Sequence, residues 1–102
     1  FLLEIAMYVL VSYDVSTSDL SGASRLRRVS KICLRYGQRV QCSVFECMVD
    51  SGQLEKMKSE LRSVIDESKD SLRVYNLGKN WQRKVEHFGA KKPYDPEASL
   101  IV

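Results

Sequence analysis

An α+β fold, with two helices laid on one face of a single antiparallel sheet, is what this sequence predicts, on three observations. The run Met7–Val11 is apolar, β-branched and aromatic, and it ends in the polar trio Ser12-Tyr13-Asp14. Such a run reads as a buried strand. Two later segments repeat apolar residues at helical spacing, and each is followed by an extended apolar run. With 102 residues the chain holds one domain and one modest core.

The elements follow in order. Ser16-Thr17-Ser18-Asp19 and Ser21-Gly22 form a polar loop after the first strand. A helix is predicted over about Gly22–Tyr36, with Leu26, Val29, Ile32, Cys33 and Tyr36 on one face. Arg27, Lys31 and Arg35 recur at i, i+4 and i+8 on the other face, with Arg28 adjacent. Gly37 stands where a C′ glycine would end this helix.

Arg39–Val49 reads as one long strand that bends or carries a bulge. Asp50, three residues before Gln53, resembles a capping box. A second helix is predicted over about Ser51–Glu67, with Leu54, Met57, Leu61, Val64 and Ile65 facing the core. Leu72–Leu77 is the next strand, stopped by Gly78, and Lys84–Phe88 is a short one stopped by Gly89. Ser99–Val102 is strand-like, and a terminal strand segment is placed at about 97–102. Residues 1–6 precede Met7, which reads as a natural start, and they are set aside from the fold.

The order βαββαβ plus a terminal strand is the split-βαβ, ferredoxin-like arrangement. Right-handed crossovers leave few other ways to fold it. The helices cover one sheet face, so Phe45, Cys47, Val49, Tyr75 and Leu77 are expected on the uncovered one. A half-covered apolar sheet invites a partner, and a two-fold homodimer is the commonest solution.

Composition narrows the function classes. Hydrophobic residues make up 44% and charged residues 28%, as in globular proteins. No apolar run is long enough to cross a bilayer, and FLLEIA lacks the basic flank of a signal peptide. The net charge of +3 permits nucleic-acid binding without demanding it. Cys33, Cys42 and Cys47 read as reduced thiols of a cytoplasmic protein. With His87 the single histidine, a Cys/His zinc site would need an unusual ligand set.

The opening YVLVSYDV, a basic helix ending in RYG, and QRVQCSVFEC directly after it resemble the CRISPR-associated protein 2 family. The family is the small partner of the CRISPR integrase in spacer acquisition. The resemblance implies a ferredoxin-like homodimer joined through its sheets, with the terminal strand pairing onto the partner. It implies that Asp14 faces its twin across the two-fold axis and is assigned to a divalent metal, Mg²⁺ or Mn²⁺. Tyr13, Arg39 and Phe45 match positions linked to nuclease activity. An arginine of the first helix is also implicated; Arg28 is favoured, with Arg25 and Arg27 open. Some family members cleave RNA or duplex DNA, and others act only as a scaffold that bridges integrase dimers on DNA.

Each of these features has a plainer reading. Asp14 could cap a turn. One carboxylate alone makes a poor Mg²⁺ site, but a two-fold dimer brings a second. The face Arg27-Arg28-Lys31-Arg35, with Arg39, is expected to contact nucleic-acid phosphates independently of sequence; the alternative is a solvated helix face. Phe45 reads better as interface core than as a reacting group. Trp81 reads as an anchor at the edge of the core, and His87 has no chemical role. The expectation is a cytoplasmic, Mg²⁺-dependent endonuclease on double-stranded DNA, working with the integrase subunit in antiviral defence. A non-catalytic DNA scaffold and an RNA-cleaving endoribonuclease are the alternatives.

Overall fold

A computed structural model describes residues 6–16 and 20–90. The elements are β1 (Met7–Asp14), α1 (Gly22–Cys33), β2 (Gly37–Gln41), β3 (Val44–Val49), α2 (Ser51–Val64) and β4 (Ser71–Gly78), closed by a 3₁₀ turn at Trp81–Arg83. The sheet order is β2-β3-β1-β4, and all pairings are antiparallel. This is the predicted ferredoxin-like α+β fold.

β1 is central and sets the two faces. Val9, Val11 and Tyr13 are buried beneath the helices, whereas Leu10 and Ser12 are half-buried and Asp14 is exposed on the opposite side. Strand alternation alone produces that division. Phe45, Cys47 and Val49 of β3 sit opposite Val11, Val9 and Met7 and join the core with Val29, Cys33, Met57 and Leu61. The open face therefore carries Leu10, Val44, Glu46, Met48 and Tyr75. The expected placement of Phe45, Cys47 and Val49 on the uncovered face is corrected by this register; Tyr75 does lie there. At one end Trp81 folds back and stacks on Tyr8, with ring centroids 4.5 Å apart, and the Tyr8 hydroxyl donates to Glu46.

Three local expectations also change. Arg39–Val49 is two strands joined by a tight turn at Cys42-Ser43, with a register shift between Arg39 and Gln41. This hairpin supplies the second and third strands of the βαββαβ order. Lys84–Phe88 is not a strand; Lys84 closes the 3₁₀ turn and its Nζ donates to the Leu77 carbonyl at 2.9 Å. The helices end earlier than predicted, at Cys33 and Val64. The capping box at α2 is present: Asp50 Oδ1 accepts from the Gln53 N–H at 2.7 Å, and Gln53 Oε1 accepts from the Asp50 N–H at 3.0 Å. The strand placed at 97–102 lies outside the described residues.

Gly37 does not end α1 in a left-handed conformation. Among the described residues only Gly78 and Gly89 have positive φ. Gly37 instead opens β2 against β3, where an added Cβ would fall on the Glu46 carbonyl and within 2.6 Å of the Cys47 Cα. Backbone cannot yield as a flexible side chain can. Gly37→Ala is expected to cost about 3 kcal/mol, the upper part of the range for overpacking. A chemical denaturation curve checks this.

Candidate functional site

Asp14 ends β1 with its side chain exposed on the open sheet face. Among the described residues its carboxylate has no hydrogen bond or ion pair. The segment beneath it is fixed on every side. The Tyr13 N–H donates to the Ser43 carbonyl at 2.9 Å, which ties β1 to the β2–β3 turn. Ser71 of β4 sits directly opposite Asp14. A hollow lined by Asp14, Ser16, Ser68, Lys69 and Ser71 opens beside it.

The anchor on the helix side is Asp70, immediately before β4. Its carboxylate is buried and accepts from Arg25 Nε at 2.7 Å, Arg25 Nη2 at 3.0 Å and the Tyr13 hydroxyl at 2.5 Å. It also accepts from the Ser16 and Asp66 backbone N–H groups, at 3.0 and 3.1 Å. One carboxylate thus joins the end of β1, the first turn of α1 and the α2–β4 loop. Arg25's hydrogen bonds hold Asp70 well below the usual carboxylate range; burial opposes them, and Ser16, Tyr13 and Asp66 add to them. Burial, followed by the hydrogen bond to Asp70, pushes Tyr13 up to about 12.

This geometry assigns the predicted site residues different places. Tyr13 is buried, and its hydroxyl is committed to Asp70 on the side away from Asp14's carboxylate. Its influence on Asp14 passes through the backbone it anchors. Phe45 is fully buried within its own chain, not at an interface, and packs beneath the Arg39 guanidinium at 5.4 Å. Arg39 Nη2 donates to Ser30 Oγ, so β2 is clasped to α1. Arg25 is buried and paired with Asp70, whereas Arg27 and Arg28 are exposed.

The basic face is real as a surface. Arg27, Arg28, Lys31 and Arg35 are exposed; Arg27 and Lys31 lie on the side of α1 away from the buried Arg25, Val29 and Ile32, Arg28 flanks that stripe, and Arg35 follows the helix end. Arg35 is paired with Glu60 of α2 at 3.1 Å. Arg27, Arg28 and Lys31 have no acidic partner among the described residues.

The family model for CRISPR associated protein Cas2 matches residues 7–85, from the first residue of β1 to just past the Trp81 turn. The chain belongs to the Cas2 family. A protein named CRISPR-associated endonuclease Cas2, from Halalkalibacterium halodurans, is 61% identical over 95 residues, covering 93% of this chain and 99% of the relative. A protein named CRISPR-associated endoribonuclease Cas2, from Nitratidesulfovibrio vulgaris, is 60% identical over 97 residues, covering 95% of each chain. The crystal structure of Streptococcus pyogenes Cas2 at pH 6.5 superposes with a TM-score of 0.73 at 55% identity, covering 81% of this chain and all of that one. Within this Cas2 fold, no group of three or more His, Cys, Asp or Glu side chains is placed to hold a metal ion among the described residues. No helix among them is long and apolar enough to cross a membrane.

Proposed function

We propose that this Cas2 chain is a divalent-metal-dependent endonuclease that acts as a homodimer on duplex DNA, beside the integrase subunit in CRISPR spacer acquisition. The observation that carries the reading is Asp14: an exposed carboxylate without a partner, on a rigid strand end, facing out from the open sheet face. Mg²⁺ is commonly held by one or two carboxylates and several waters. Asp14 fits half of such a site. Packing two open faces about a two-fold axis would supply the second half and cover Leu10, Val44 and Tyr75.

The two Asp14 carboxylates would hold the ion. When bound, it polarises a phosphate oxygen and lowers the pKa of a water. The chain itself fixes position: Asp70, Tyr13 and Arg25 hold the end of β1 still. Arg27, Arg28 and Lys31 offer a sequence-independent grip on the nucleic-acid backbone, joined by Arg39 and Arg35.

Of the two named relatives, one is called an endonuclease with no substrate in its name and the other an endoribonuclease. Metal-titrated cleavage of matched duplex DNA and single-stranded RNA tests the proposal. The expected result is cleavage that rises with Mg²⁺ or Mn²⁺ and stops in chelator, faster on the duplex. A preference for RNA would favour the endoribonuclease reading.

The second reading is a non-catalytic scaffold, and one observation favours it. Tyr13 and Phe45 are buried and Arg39 is engaged with Ser30, so three predicted catalytic positions support the fold. Cleavage of neither substrate, with DNA and integrase binding intact, would select it.

A further inference from the structure

The core beneath the helices holds two thiols that the proposed function does not use. Cys33 is the last residue of α1 and Cys47 lies in the middle of β3; both are fully buried and both are free. The Cys47 thiol donates to the Cys33 carbonyl at 3.6 Å, and the Cys33 thiol is hydrogen-bonded to the Cys47 sulfur. The two sulfurs are therefore neighbours within one close-packed core. They lie on the helix side of the sheet, so a partner packed on the open face leaves their surroundings unchanged.

The backbone around the pair holds it in register. The Tyr36 N–H donates to the Cys33 carbonyl at 3.0 Å, and the Met48 N–H donates to the Tyr36 carbonyl at 3.1 Å. Gly37 pairs with Cys47 in the β2–β3 ladder. Cysteines on elements fixed this closely can bridge by a turn of each side chain about its Cα–Cβ bond, whereas partners held apart need the backbone to move. The segment between them carries all of β2, with Arg35 and Arg39. A bond from Cys33 to Cys47 would tie the base of the β2–β3 hairpin to the end of α1. The third thiol, Cys42, is exposed at the turn of that hairpin.

We infer that Cys33 and Cys47 form a redox-responsive clasp, reduced in the resting protein and joined by a disulfide between α1 and β3 when a peroxide reaches them. The inference is independent of the reading of Asp14. One thiolate attacks a peroxide oxygen and the O–O bond breaks, which leaves a sulfenic acid and hydroxide. The second thiol displaces the sulfenic hydroxyl and the S–S bond forms. The two thiol protons leave in two waters, so the peroxide is reduced as the thiols are oxidised. Burial makes this step depend on local opening. Helix ends fray, and fraying of α1 at Cys33 admits the small oxidant. Once closed, the bond restricts the unfolded chain, so it strengthens the fold under the conditions that form it.

The experiment treats the full chain carrying Cys42→Ser, which removes the exposed thiol, with hydrogen peroxide. Wild type is treated in parallel, and full oxidation of its Cys42 shows that the dose suffices. Peptide mapping by mass spectrometry is expected to find an intramolecular Cys33–Cys47 disulfide, with the loss of two hydrogens, that dithiothreitol reverses. The oxidised chain should melt at least about 5 °C higher than the reduced one, a modest part of what closing a loop of this length can supply. Adding Cys47→Ala should abolish both the bond and the rise; the mapping of the first chain decides the matter even where that variant fails to fold. Thiols still free at Cys33 and Cys47 once Cys42 of wild type is fully oxidised would overturn the inference. So would oxidation to sulfinic or sulfonic acid without a bond, or a disulfide that lowers the melting temperature.

Discussion

Asp14→Asn is expected to lower metal-dependent cleavage by at least about a hundredfold while leaving the fold intact. A metal ion supplies several kcal/mol of transition-state stabilisation, and each 1.36 kcal/mol is about tenfold in rate. Asp14 is exposed and has no partner among the described residues, so its loss should change stability by no more than about 0.5 kcal/mol. In a dimer that brings two such carboxylates together, the substitution also removes a repulsion. The Asp14→Asn dimer should therefore be at least as stable as wild type in chelator. Matched cleavage rates, melting curves and sedimentation in one buffer read all three effects. Wild-type cleavage by this variant would remove Asp14 from the chemistry.

The second large effect is structural and belongs to Asp70. Asp70→Ala leaves the Arg25 guanidinium buried without its counter-charge, with the arginine side chain only 8% exposed. Breaking a buried pair in this way costs about 3–5 kcal/mol. Small domains have about 5–15 kcal/mol in total, so this variant should be close to unfolding at ambient temperature. Asp70→Asn keeps an acceptor for Tyr13 and the backbone N–H groups and should lose less. It also carries the pH test. The folded state holds Asp70 below the usual carboxylate range, so the unfolded chain binds more protons once the pH falls below about 4. The stabilisation is complete above that pH and is lost as the pH falls towards the folded value. Denaturation midpoints of wild type should drop along this acid limb, and the Asp70→Asn profile should be flatter there. Parallel acid limbs would mean that Asp70 does not titrate differently in the two states.

The same two residues show what was legible in the sequence. Asp14 was readable because the strand signal around it is strong and the polar trio marks its end. Asp70 was not, because its partners Tyr13 and Arg25 are 57 and 45 residues away, beyond any local spacing rule. A signal did exist on the other side of the pair. Arg25 stands four before Val29 and seven before Ile32, on the apolar stripe of α1. A cation on a buried stripe requires a buried anion. That pattern also distinguishes Arg25 from Arg27, which the periodicity places on the solvent side.

The sheet was legible in its order but not in its faces. Alternation along β3 gives two sets, Phe45-Cys47-Val49 and Val44-Glu46-Met48, and both carry apolar residues. A shift by one residue exchanges them, and only the register against Val9 and Val11 decides. The β2–β3 turn was hidden because Cys42-Ser43 contains no glycine, proline or asparagine, the usual marks of a hairpin. Lys84–Phe88 alternates like a strand, yet the stacking of Trp81 on Tyr8 folds the preceding segment back over the sheet. Gly37 differs from expectation for a related reason: a glycine after a helix suggests a left-handed cap, while here it is the close approach of β3 that excludes a side chain.

Mn²⁺ titration of the assembled protein, with the number of bound ions counted per chain, tests the shared-cation account most directly. The account predicts one strongly held ion for every two chains in wild type and none in Asp14→Asn. One ion per chain, or a binding curve that Asp14→Asn leaves unchanged, would contradict it.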